Sequence, residues 1–206
     1  MPDASPSAPV PRRRLEPLPP TFTAASARAA GIAPRDLYRL RDDEIIYELS
    51  RGVFRKANAP ESAHLDLLAV AARAPGAVIC GETALSLHEL IDDIPAQVTI
   101  AVARGTHRPA IDYPPVSVSQ YEADTFKAGI EQFEAAPGEY VPVYGAARSV
   151  ADAMRLRHRT GETQALSALG RYVRLHGPAG VADLLKFSRL LGVQGPVRSA
   201  IEAVLA

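Results

Sequence analysis

Cysteine is almost missing from this chain. Cys80 stands alone, which excludes an internal disulfide framework and any metal cluster built on several thiolates. Long apolar runs are missing as well. No stretch approaches the roughly 18 apolar residues of a membrane span, and the N-terminus has no apolar signal-peptide core. These absences predict a soluble, cytoplasmic protein with no membrane partner. Neither GxxxxGK[ST] nor GxGxxG occurs, so no motif indicates a nucleotide site. The five histidines (His64, His88, His107, His158 and His176) show no ligand spacing. No metal and no organic cofactor is expected.

Net charge is the last absence, at a formal +0 over 206 residues. It argues against a protein that coats nucleic acid with its whole surface, but the distribution is uneven. Residues 1–58 carry 10 Lys/Arg against 7 Asp/Glu, residues 59–149 carry 5 against 12, and residues 150–206 carry 8 against 4. A basic front and a basic end thus flank an acidic middle. Seven of the 18 prolines fall in the first twenty residues. Residues 1–20 therefore read as a disordered Pro-rich tail, with Arg12, Arg13 and Arg14 as a basic arm or a solubilising segment.

What is present begins at residue 21. Thr23 is a candidate N-cap, Ala27 is small enough for close helix approach, and Gly31 suits a helix-ending turn. Pro34 suits the first position of a second helix. Leu37 and Leu40 share one face of that helix, while Arg35, Tyr38, Arg39 and Asp42 share the other. After Asp42-Asp43-Glu44 the pattern becomes extended, with a turn at Ser50-Arg51-Gly52. Two helices followed by a hairpin predict a winged helix-turn-helix over residues 21–58, although no first helix is evident. Arg28, Arg35, Tyr38 and Arg39 on the helices, and Arg51, Arg55 and Lys56 on the hairpin, are its candidate DNA-binding residues. A plain structural module is the alternative.

Asn58-Ala59-Pro60 marks a boundary, and residues 60–206 form the second predicted domain. Its elements are a helix over 61–73, an apolar run at 77–80, a helix in GETALSLHEL, and strands over 96–103, 115–120 and 140–144. The stretch between the last two strands is ambiguous. Ser149 with Asp152 resembles a capping box opening a helical region. Further helices are predicted over 162–175, 179–191 and 196–205. Arg155, Arg157, Arg159, Arg171 and Arg174 would give this region a positive surface, suited to an acidic protein face or to phosphates, or else simply solvated. The fold class is α+β: a winged helix-turn-helix, then a mixed α/β domain ending in helices.

The motifs RDLYRL, SRGVFRK, AVICGETALSLHEL, VTIAVARGTHRP and VYGAARSVADAMRLRHRTG occur in that order over roughly residues 21–170. Together they resemble the AbiEi family of antitoxins. The resemblance implies a winged helix that binds operator DNA, expected to be an inverted repeat, and represses its own operon. It implies a C-terminal domain acting, directly or functionally, against a nucleotidyltransferase toxin in a type IV toxin–antitoxin system. Arg155, Arg157, Arg159, Arg171 and Arg174 are the candidates for that toxin-neutralising surface. The family often has Gly just before the wing, where this chain has Asp43-Glu44. A regulator with a ligand-sensing second domain is one rival. A nucleotidyltransferase-like enzyme is another, but that chemistry needs paired carboxylates on a strand to hold Mg²⁺. Val98 to Ala103 offers none, and no catalytic residue is expected.

Overall fold

The computed structural model describes residues 14–205. Over this range the protein is mixed α and β, with eight helices and two sheets among the described residues. The first sheet belongs to the front of the chain. Strand β1 (Thr21–Thr23) leads directly into α1 (Ala24–Ala29). There the Thr23 side chain accepts the Ser26 N–H, and the Ser26 side chain accepts the Thr23 N–H. This reciprocal cap satisfies two N–H groups that the helix leaves open. Gly31, at φ 80, turns the chain toward α2 (Pro34–Asp42). The hairpin β2 (Ile46–Ser50) and β3 (Val53–Lys56) turns at Arg51-Gly52, where Gly52 holds φ 75. Strand order is β1-β3-β2, antiparallel throughout.

The expected tail is shorter than residue 20. Residues 1–13, with Arg12 and Arg13, lie outside the described residues. From Arg14 onward the chain is packed. Leu15 and Leu18 are buried with Phe22, Ala27, Ile32, Leu37, Leu40, Ile46 and Phe54, and the Leu18 N–H donates to Leu15 O across a single turn. Proline prevents a regular helix here. One turn is nevertheless enough to seat two leucines three residues apart.

The second sheet has the order β6-β5-β4-β8-β7. Its strands are β4 (Val78–Ile79), β5 (Val98–Ala103), β6 (Val116–Tyr121), β7 (Ile130–Ala136) and β8 (Glu139–Tyr144). Pairs β4–β8 and β5–β6 are parallel, and β4–β5 and β7–β8 antiparallel. Strand β7 and the short α5 (Ala123–Phe126) account for the ambiguous stretch. Alternation along the strands makes two unlike faces. Val98, Ile100, Val102, Val141 and Val143 pack with Leu67, Leu68 and Val70 of α3 (Leu65–Arg73). The opposite face presents Val78, Cys80, Ala101, Tyr121 and Tyr144. Helix α6 (Ala146–Thr160) lies against it. Helix α4 (Gly81–Leu87) joins α6, α7 (Glu162–Leu190) and α8 (Gln194–Leu205) in a separate helical core around Leu85, Val150, Met154, Leu169, Leu184 and Val197. Helix α7 is broken at Gly177 (φ 58), just before Pro178, where two helices were expected to part.

Two boundaries need correction. Helix α3 starts at Leu65, after Ser62 and His64 have formed a turn, and not at Glu61. Helix α6 starts at Ala146 with Gly145 as its cap, so Ser149 and Asp152 are interior residues and form no capping box. The Ser149 hydroxyl donates to Tyr144 O, and Asp152 serves a buried ion cluster.

Candidate functional site

Five of the seven residues proposed from the sequence to meet DNA are exposed on the front of the protein. Leu37 and Leu40 are buried, and Arg35, Tyr38 and Arg39 are exposed on the other side of α2, as the helical period requires. Tyr38 is 45% exposed and is fixed by two neighbours. Its ring meets Phe54 edge-on at 6.2 Å, and the Arg41 guanidinium lies 4.9 Å from its centroid. Arg28 and, at the hairpin tip, Arg51 are exposed too. Arg41, which sequence reasoning passed over, is drawn into ion pairs with Asp42 and Glu48. Glu44 takes φ 56 in front of β2, a left-handed setting that glycine fills without the steric cost a side chain adds.

Arg55 and Lys56 do not join this surface. Strand β3 is the central strand of its sheet, and α3 packs behind it, so Arg55 is 4% exposed. Its guanidinium pairs with Glu139 and donates to Thr21 Oγ1 and Pro60 O. Glu139 also accepts the Thr21 N–H. Lys56 turns toward the packed turn at residues 15–18 and donates to Leu18 O. The expected wing arginine is thus the joint between the two sheets.

The C-terminal arginines are likewise divided. Arg171 binds both carboxylate oxygens of Asp92 at 2.8 Å and holds that carboxyl below its usual range. Arg157 donates to Met154 O and approaches Glu162 at 3.5 Å. Arg174 is exposed on α7. Arg155 and Arg159 instead line a cleft of about 560 Å³ with Arg104, Arg108, Ser117 and Ser119. The five arginines do not form a single surface, because they come from two helices with different neighbours.

Behind the cleft lies a buried polar cluster that sequence reasoning missed. Asp152 Oδ2 accepts Arg148 Nε at 2.8 Å, and its Oδ1 accepts Arg155 Nη2 at 2.8 Å. Arg148 is fully buried, and its Nη1 donates to the carbonyls of Thr125 and Ala128. Among the described residues Arg148 Nη2 has no hydrogen-bond partner. The guanidinium lies 4.5 Å from the Tyr144 ring centroid, so the π face supplies attraction where an acceptor is lacking. Tyr121 stacks on Tyr144 with centroids 5.7 Å apart and carries the Arg155 guanidinium at 5.1 Å on its ring. Burial pushes the Cys80 thiol up to about 12, partly offset by a hydrogen bond with Tyr121. Burial also pushes the Tyr121 phenol upward. Both groups stay protonated and chemically quiet at neutral pH. His88 Nε2 lies 2.9 Å from Tyr144 O and is a packed histidine. The i,i+4 spacing of Arg148 and Asp152 was the available signal for this cluster. It was masked by the three-residue spacing from Ser149.

Among the described residues no group of three or more His, Cys, Asp or Glu side chains could hold a metal ion. No helix there is long and apolar enough to cross a membrane. No protein-family model matches the chain, and no curated protein matches it. The fold is similar to one seen in the crystal structure of RV2827C protein from Mycobacterium tuberculosis. That protein is 17% identical, with a TM-score of 0.53 over 89% of this chain and 76% of the other. At that identity the likeness concerns the fold alone.

Proposed function

We propose that the front of this protein is a winged helix that reads operator DNA, with α2 entering the major groove and the β2–β3 turn as the wing. The observation that carries this reading is the exposed face Arg35, Tyr38 and Arg39 on a helix whose other face is locked in a core. The order strand, helix, helix, hairpin, with β3 between β1 and β2, supports it. In place of a first helix, the reading assigns the packed Leu15–Leu18 turn to complete the core. Guanidinium forks and a phenol supply the donors and acceptors that base edges and phosphates match. Arg51 at the tip is suited to a backbone phosphate. The DNA face is therefore narrower than the sequence implied: Arg28, Arg35, Tyr38, Arg39 and Arg51, without Arg55 and Lys56.

In the same reading the protein is an autoregulating antitoxin, as the motif order suggests, and the domain beyond Pro60 acts against a nucleotidyltransferase toxin. Fluorescence anisotropy on duplexes from its own promoter tests the DNA half. The protein should prefer promoter over scrambled DNA, and Arg39→Ala should weaken promoter binding by about 1–3 kcal/mol. Equal affinity for both duplexes would remove the reader. Co-expression with the neighbouring toxin gene tests the other half. Growth should recover, and continued arrest would count against the antitoxin role.

A further inference from the structure

The cleft beside α6 has a composition the DNA-reading role does not use. Its floor is β6, an edge strand of the second sheet. Ser117, Ser119 and Tyr121 project to the same side of that strand, since alternate residues share a face. Arg104 and Arg108 come from the loop after β5, and Arg155 and Arg159 from the last turns of α6. The loop is braced by Gln120, whose Nε2 donates to Thr106 O at 3.2 Å. Arg155 is held from behind. Asp152, 2% exposed, takes its Nε and Nη2, and the Tyr121 ring supports its guanidinium. Four guanidinium groups therefore line one cleft, at least one of them in a fixed position.

We propose that this cleft binds a compact ligand carrying two or more phosphate groups, of the nucleoside polyphosphate class. Arginine forks and serine hydroxyls are the donors that phosphate oxygens take. No glycine-rich loop is needed, because side chains supply what backbone N–H groups supply in such loops. Glu122 is the one carboxylate in the lining, and it pairs with Arg104 at 2.7 Å. Both are more than half exposed, so water screens that pair and a phosphate can displace it. The cavity, about 560 Å³, matches a small-molecule site. Exposed Asp112 precedes β6, and exposed Glu122 and Asp124 follow it. These acidic ends disfavour a long nucleic-acid strand running through and favour a ligand that ends within the cleft.

Calorimetry with ATP, on the full chain, tests the proposal. The variants are Arg108→Glu/Arg159→Glu in the cleft and Arg35→Ala/Arg39→Ala on α2. Arg108 and Arg159 are exposed, and circular dichroism checks that both variants keep their fold. ATP should bind the unaltered protein, bind at least about tenfold more weakly to the cleft variant, and bind the α2 variant unchanged, since each lost charge-assisted contact is a strong one. Promoter binding by the cleft variant should persist, which separates this result from the fate of the DNA reader. Absence of ATP binding, or equal loss in both variants, would overturn the proposal. So would a 12-nucleotide single strand that binds at the cleft arginines when ATP does not, because it would assign the site to a nucleic-acid backbone.

Discussion

Arg39 and Arg148 are the same residue type in two regions of the molecule, and they do opposite things. Arg39 lies exposed on α2, on the side opposite the buried Leu37 and Leu40. Arg148 is fully enclosed, with a carboxylate, two carbonyls and a tyrosine ring around it. The environment, more than the side chain, decides whether an arginine can meet something outside or holds the protein together. An enclosed guanidinium has left water at high cost, which its carboxylate, carbonyl and ring partners must offset. An exposed one stays in contact with water and can be reached from outside.

Asp152→Ala should have the largest effect on the enclosed arginine. It removes the anion from a site where Arg148 has 0% side-chain exposure and Asp152 3%. The expected loss is about 3–5 kcal/mol of stability by urea denaturation; a change near zero would mean that the cluster relaxes without cost. Next comes Glu139→Ala, which strands Arg55 and the Thr21 N–H but leaves Thr21 Oγ1 and Pro60 O as acceptors. About 2–3 kcal/mol should be lost by the same measurement.

Burial beside the same cluster also makes Cys80 respond to pH. Its ordinary value is 9.0, and burial raises it to about 12 in the fold. The contribution of the buried neutral thiol to stability is complete below 9, then falls between 9 and about 12, because over that range only the unfolded state ionises readily. Alkylation by iodoacetamide at pH 8 should therefore proceed only after denaturant is added. Rapid labelling of the folded protein would contradict the burial. The smallest effect belongs to Arg39→Ala, which should change stability by no more than about 0.5 kcal/mol while weakening DNA binding.

Much of the architecture was legible in the sequence, where periodicity is local. The two front helices, the hairpin, β5, β6, β8 and the break before Pro178 follow from spacing and turn residues. The rest depended on partners far along the chain. Nothing near Arg55 indicates that β3 is a central strand with α3 behind it, so Val-Phe-Arg-Lys looked like an exposed tip. The Pro-rich composition hid Leu15 and Leu18, whose burial is settled by a core built from residues 22–54. The shared exposed face of Arg35, Tyr38 and Arg39 was readable from the helical period. The cleft was not, because Arg104, Arg108, Arg155 and Arg159 meet only once β6 has paired with β5 and α6 has crossed the sheet. Strand β7 escaped because Ile130–Ala136 carries two glutamates and a glutamine, with few of the β-branched residues that mark a strand.

The Arg55–Glu139 pair has a consequence for engineering and for inheritance. A front end moved onto another scaffold would arrive with a cation that has lost its counter-ion, and the remainder would keep an anion beside an open strand. The short segment at 57–60 looks like a spacer at which such modules could be exchanged, yet the exchange depends on Glu139, 84 residues beyond Arg55. Lineages that shuffle this front end should therefore move it together with the hairpin bearing Glu139, or replace both members of the pair.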